Sequence, residues 1–131
     1  MTERKKFTVK RSQWLRGGKS PDKRFWNDPM LLNRDGNRCC LGFAGEQLCG
    51  LSNEQLLDIS GPRDPHVRYE FNQGMPGLFR EAPTGLVQNA QVSTYTRLLM
   101  AENDMDKDDA TREENLKKLF NEINIDVEFV D

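Results

Sequence analysis

The chain has 131 residues, 36% of them apolar, with 19 Lys/Arg against 21 Asp/Glu, a polar composition that still suffices for one hydrophobic core and hence for a single domain over 1–131. Thirty residues are Leu, Ile, Val or Phe, a larger share than in highly charged chains that stay disordered. The apolar runs fall far short of the roughly 18 residues that span a bilayer, and the first residues lack the apolar stretch of a secretory signal, so a membrane protein is excluded and the cytoplasm is the expected location.

In chain order, Phe7 and Val9 flank Thr8 with the period of a strand, and Ser12 is placed to cap one or two helical turns carrying Trp14 and Leu15 before Gly17 and Gly18. Residues 18–29 read as a loop, with Phe25 and Trp26 as its only apolar anchors. Leu31 and Leu32 precede Asn33-Arg34-Asp35-Gly36-Asn37, a tight turn or short hairpin. Leu41, Ala44, Gly45 and Leu48 then recur as one face of a helix that Gly50 closes. Gly42 and Gly45 inside that helix imply that another backbone packs closely against it.

Ser52 and Gln55 have the spacing of a capping box, with Leu51 and Leu56 as its hydrophobic staple, for a helix from about Asn53 to Ile59. Residues 60–91 hold Pro62, Pro65, Pro76 and Pro83, so long elements are not expected there. Val67, Tyr69 and Phe71 alternate as a short strand would. A long ordered irregular segment is where binding often resides, and Arg63, Arg68, Tyr69 and Phe71, with Trp26, are the candidate partner-binding residues.

A stripe of Val92, Tyr95, Leu98 and Leu99 marks a helix from about Ser93 to Ala101. After an acidic turn over 103–109, Thr111 to Glu114 has capping-box spacing for a helix continuing through Leu116, Leu119, Phe120 and Ile123. Ile125, Val127 and Phe129 alternate with acidic residues as a half-buried strand, able to pair with Phe7–Val9. The expected fold is therefore α+β: about four helices packed on a small antiparallel sheet formed by the termini and the segment before Cys39.

Charge is unevenly spread. Residues 1–38 carry eleven Lys/Arg and four Asp/Glu, whereas residues 101–131 carry four and eleven. Ends that neutralise each other account for this, since domain termini tend to lie close together. The sharper alternative is nucleic-acid binding through the basic N-terminal segment, with Lys5, Lys6, Lys10, Arg11 and Arg16 as its contacts, although no nucleic-acid motif accompanies them.

Cys39, Cys40 and Cys49 are an odd number of cysteines, which argues against a disulfide framework. With His66 they are the only soft zinc ligands, but adjacent cysteines chelate awkwardly, and no metal or other cofactor is expected. Cys39 or Cys40 at a helix start could be a low-pKa thiolate. With His66 as base and Asn103 or Asp104 as orienting group, the parts of a thiol-dependent hydrolase or transferase exist; small cysteines filling a tight helix contact are the commoner arrangement. Asp104, Asp106 and Asp108 alternate like a calcium loop, but Asp109 and Asn115 stand where an EF-hand needs Gly and Glu.

Taken together, Trp14 to Gly17, Leu31 to Phe43, Ala101 to Asp104, and the final helix and strand over 112–130 resemble a group of small, largely uncharacterised proteins of tailed bacteriophages and prophages that share Trp-Leu-Arg-Gly and Cys-Cys-Leu-Gly motifs. The resemblance leaves 55–91 unmatched and implies no established reaction. It implies a non-enzymatic, phage-encoded interaction protein in the host cytoplasm that binds and modulates a host protein or protein complex, such as a component of host defence.

Overall fold

The structure is a computed structural model that describes residues 4–16, 30–82, 94–105 and 107–131. Strand β1 spans Lys5–Lys10 and runs into a single 3₁₀ turn, Arg11–Gln13. Helices α1 (Cys40–Cys49), α2 (Asn53–Leu56), α3 (Arg68–Gly74), α4 (Tyr95–Asp104) and α5 (Asp109–Glu122) follow, and strand β2 (Ile125–Val130) comes last.

The two termini do pair, but in the opposite sense from that expected. β1 and β2 are parallel, with Phe7 beside Val127 and Val9 beside Phe129. Alternation of apolar residues sets which face of a strand is buried and is indifferent to strand direction. The direction comes from the connection: the chain leaves β1, passes through α1 to α5 and turns from α5 into β2 at Ile123 and Asn124, where Asn124 takes a left-handed φ of 67°. A crossover containing helices is what a parallel pair requires. The segment before Cys39 is no strand of this sheet. Among the described residues it makes isolated bridges, Trp14 with Arg38 and Leu32 with Leu57, and these are parallel as well.

Several local expectations hold. Gly50 ends α1 at φ 68°, and Gly36 takes φ 86° in the turn after Asn33. Ser52 and Gln55 form the reciprocal capping box of α2, although that helix stops at Leu56 rather than near Ile59. A Cβ on Gly42 would come within 1.8 Å of the Leu31 carbonyl oxygen, and one on Gly45 within 2.7 Å of the Phe71 ring. The expected backbone approach is therefore made at Gly42, by Leu31, whereas at Gly45 the neighbour is the Phe71 side chain.

Other expectations fail for identifiable reasons. Ser12 lies within the 3₁₀ turn, whose N-cap is Lys10, and does not cap it. α5 begins at Asp109, with Asp108 rather than Thr111 as its cap, because the Asp108 carboxylate accepts the Thr111 N–H at 2.9 Å. α4 runs on through Asn103 and Asp104 rather than giving way to the expected acidic turn at Asn103. The alternation of Val67, Tyr69 and Phe71 is not a strand either, since α3 starts at Arg68. Val67, Phe71, Met75 and Leu78 are each fully buried. Of the four only Phe71 lies within α3; Val67 and Met75 flank the helix, and Leu78 lies in the turns beyond it.

The core joins the inner face of the sheet to α1, α3, α4 and α5, with Phe7 edge-on to Phe120 at 5.0 Å and Trp14 against Phe129 at 4.9 Å. No helix among the described residues is long and apolar enough to cross a membrane.

Candidate functional site

The predicted site residues fall in two places: the junction that gathers the cysteine motif, and the surface carried by residues 61–82. The first is built on Asn103, which α4 delivers to the interior at 1% exposure. Its Oδ1 accepts the Trp14 indole N–H at 2.8 Å and the Cys40 backbone N–H at 3.1 Å. Its Nδ2 donates to the Leu15 carbonyl at 2.9 Å and to Asp104 at 3.0 Å. One amide thus ties the segment after β1, the start of α1 and the end of α4 together. Buried polar groups must be paired, and here they pair only with one another.

That geometry gives Asn103 a different part from the one the residue types suggested. It orients no histidine. His66 lies on the surface with its side chain 83% exposed, and its Nδ1 is 2.8 Å from Asp64. The His66 backbone N–H, with the imidazole, holds the Asp64 carboxyl below the usual carboxylate range. Cys39 and Cys40 are buried in the core cluster. Desolvation pushes the Cys39 thiol up to about 12 and Cys40 well above its ordinary value, with nearby Asp104 adding to both. A helix start lowers a thiol pKa only where the thiolate can be solvated or paired with a cation; here burial wins. Cys49 is half-buried between α1 and α3, close to Gly74, and burial raises it to about 11. The three thiols and His66 do not converge. Among the described residues, no cluster of three or more His, Cys, Asp or Glu is placed to hold a metal ion.

Asp104 is itself partly buried, and desolvation raises its carboxyl pKa against the opposing effects of Asn103 and Arg112. Asp108 serves as the cap of α5, and the Thr111 backbone N–H holds its carboxyl low.

The basic N-terminal residues are largely occupied. Arg4 pairs with Asp126 at 2.9 Å, and Arg11 pairs with Glu113 at 2.8 Å and Asp131 at 3.0 Å. Arg16 lies over the Trp14 ring at 4.8 Å and reaches Asp109 at 3.1 Å. The Lys5 ammonium donates to the Gly74 carbonyl. Lys6 pairs more loosely with Glu128, at 3.6 Å, while Lys10 is exposed. The two oppositely charged ends therefore face each other across the parallel strand pair.

The second place is outward-facing. Tyr69 on α3 is 70% exposed. Beside it Arg68 holds its guanidinium 5.2 Å over the Phe79 ring, and Arg63 is exposed in the turn before the helix. Arg80 lies 5.7 Å over Tyr95, whose hydroxyl donates to Glu122 at 3.1 Å. Of the four candidates in this segment, Arg63, Arg68 and Tyr69 are presented. Phe71 is not: it is fully buried against Gly45 and belongs to the core. Trp26 lies outside the described residues, as does the part of the 60–91 segment beyond Ala82.

The burial of this segment has a readable signal in the apolar residues Val67, Phe71, Met75 and Leu78, of which only Phe71 lies within α3. The role of Asn103 has none in the local pattern, because its partners are distant in the chain. Compared with family models, with curated proteins and with solved structures, the chain matches none.

Proposed function

We propose that this chain is a non-enzymatic interaction protein that binds and modulates a host macromolecule through the face of α3 and its preceding turn. The observation that carries the reading is Tyr69, a large aromatic side chain held out from a helix whose other face is anchored in the core. Arg68, ordered by Phe79, and the exposed Arg63 stand with it. Tyrosine and arginine are the residue types most often found at the energetic centres of protein interfaces. The resemblance to small phage proteins suggests the class of partner, a host protein or complex. The burial of Cys39 and Cys40, and the distance of His66 from the interior, favour this reading over thiol chemistry.

The test is affinity capture from host lysate with the full chain, followed by measurement against the captured partner. Tyr69→Ala and Arg68→Ala should each weaken binding by roughly thirtyfold, with the helical circular dichroism spectrum unchanged. Lys118→Ala, on α5, should have no effect. Equal capture by all three variants would reject this face as the interface.

A further inference from the structure

The two strands each have an outer edge, and the protein treats them differently. In the register of the pair, the Lys5 N–H donates to the Asn124 carbonyl at 3.2 Å. By the alternation of a parallel ladder, Lys5, Phe7 and Val9 then bond to β2, and Asp126, Glu128 and Val130 bond back to β1. The peptide groups of Thr8 face the other edge of β1, where the side-chain amide of Gln47 occupies both. Gln47 Oε1 accepts the Thr8 N–H at 2.9 Å, and Nε2 donates to the Thr8 carbonyl at 2.8 Å. Helix α1 thereby plugs this edge with a mimic of a strand.

The far edge of β2 has no such plug. Ile125, Val127 and Phe129 turn their N–H and C=O groups away from β1, and no group among the described residues bonds to them. Unpaired strand edges are templates for further pairing, which proteins ordinarily block. We propose that the β2 edge accepts an extended basic segment of a partner protein as a third strand, at a surface separate from α3.

The occupant follows from the two faces of β2. Ile125, Val127 and Phe129 lie on the buried face, so the added strand turns apolar residues that way. Asp126 and Glu128 lie on the solvated face, so its alternate residues are Lys or Arg. Lys6 on β1 already shows this complementarity, and its pair with Glu128, with both side chains more than half exposed, is loose enough to be shared. A second copy of this chain fits poorly. Antiparallel pairing of two β2 strands about Val127 would set Asp126 against the partner's Glu128, and directly opposed like charges are destabilising. The β1 edge of a second copy is closed by Gln47.

The test uses the full chain and a peptide of alternating Lys and Val, with an alternating Glu and Val peptide as control, read by amide hydrogen exchange in NMR spectra. In the free protein the Val127 and Phe129 amides should exchange faster than those of Glu128 and Val130, and the basic peptide should slow Val127 and Phe129 while leaving Glu128 protected. Glu128→Lys, on the solvated face, should weaken the basic peptide by about fivefold and strengthen the acidic one. Should that variant lose the protection of the β1–β2 pair, Glu128→Gln gives the same comparison at smaller amplitude. Val127 as protected as Glu128 in the free protein, equal binding of the two peptides, or loss of Glu128 protection through displacement of β1 would each overturn the proposal.

Discussion

Asn103 uses both amide donors and doubles its carbonyl oxygen as acceptor, so removing it strands the Trp14 indole, the Cys40 N–H and the Leu15 carbonyl in a dry interior. Buried groups left unpaired cost more than the bonds themselves contributed. Asn103→Ala should therefore destabilise the protein by about 3 kcal/mol in urea unfolding, far beyond what the loss of a few side-chain atoms would cause. The thiols give a second prediction at this scale. Held protonated by burial, Cys39 and Cys40 should resist iodoacetamide at neutral pH, with Cys49 labelled slowly and all three labelled after unfolding. Rapid native labelling of Cys39 or Cys40, located by mass spectrometry, would contradict the geometry of the α1 start.

At the scale of elements, α1 is the piece against which the others are seated. It offers glycine where the Leu31 backbone and the Phe71 ring approach, and Gln47 where β1 needs a neighbour. Two glycine substitutions separate close packing from backbone conformation. Gly36→Ala introduces a methyl into open space at φ 86°, so its cost is the left-handed strain alone, about 1 kcal/mol. Gly42→Ala drives a Cβ onto a backbone carbonyl that cannot move aside without shifting the turn before α1, and should cost about 3 kcal/mol or more. Thermal unfolding of the two variants should rank them in that order. α3 shows how a short window misleads: three alternating apolar residues satisfy a strand, but the segment is a helix that buries Phe71 and leaves Tyr69 outward.

For the molecule as a whole, the polarised charge of the chain is a means of closing it. Arg4, Lys6 and Arg11 meet Asp126, Glu128, Glu113 and Asp131, so basic and acidic ends are joined by ion pairs as well as by the strand ladder. The pH dependence has two opposing parts. Asp126 is held low chiefly by its bond to Arg4, and Asp108 by the Thr111 N–H. Their stabilisation is present above the ordinary carboxylate value and is lost as pH falls through their depressed values. Asp104 is raised by desolvation, so its contribution is present below the ordinary value of 3.8 and lost as pH rises through its folded value. The midpoint temperature should thus rise slightly on acidification from neutrality towards the carboxylate range and fall below it. Asp104→Asn, which keeps an acceptor for Asn103, should raise the midpoint at neutral pH and abolish the weakly acidic rise.

What the sequence alone determined is short-range. The αL stop at Gly50, the Ser52 box and the tightness around Gly42 follow from steric and hydrogen-bonding rules acting within a few residues. The burial pattern of the terminal strands follows from a period of two. Tertiary structure decided the rest, because the deciding contacts join residues far apart in the chain. The direction of β2 depends on where α5 leaves it, and the state of the cysteines on whether solvent reaches the start of α1. Asn103 orders the interior only because Trp14, Leu15 and Cys40 are brought to it. Neither local propensity nor periodicity carries information of that range.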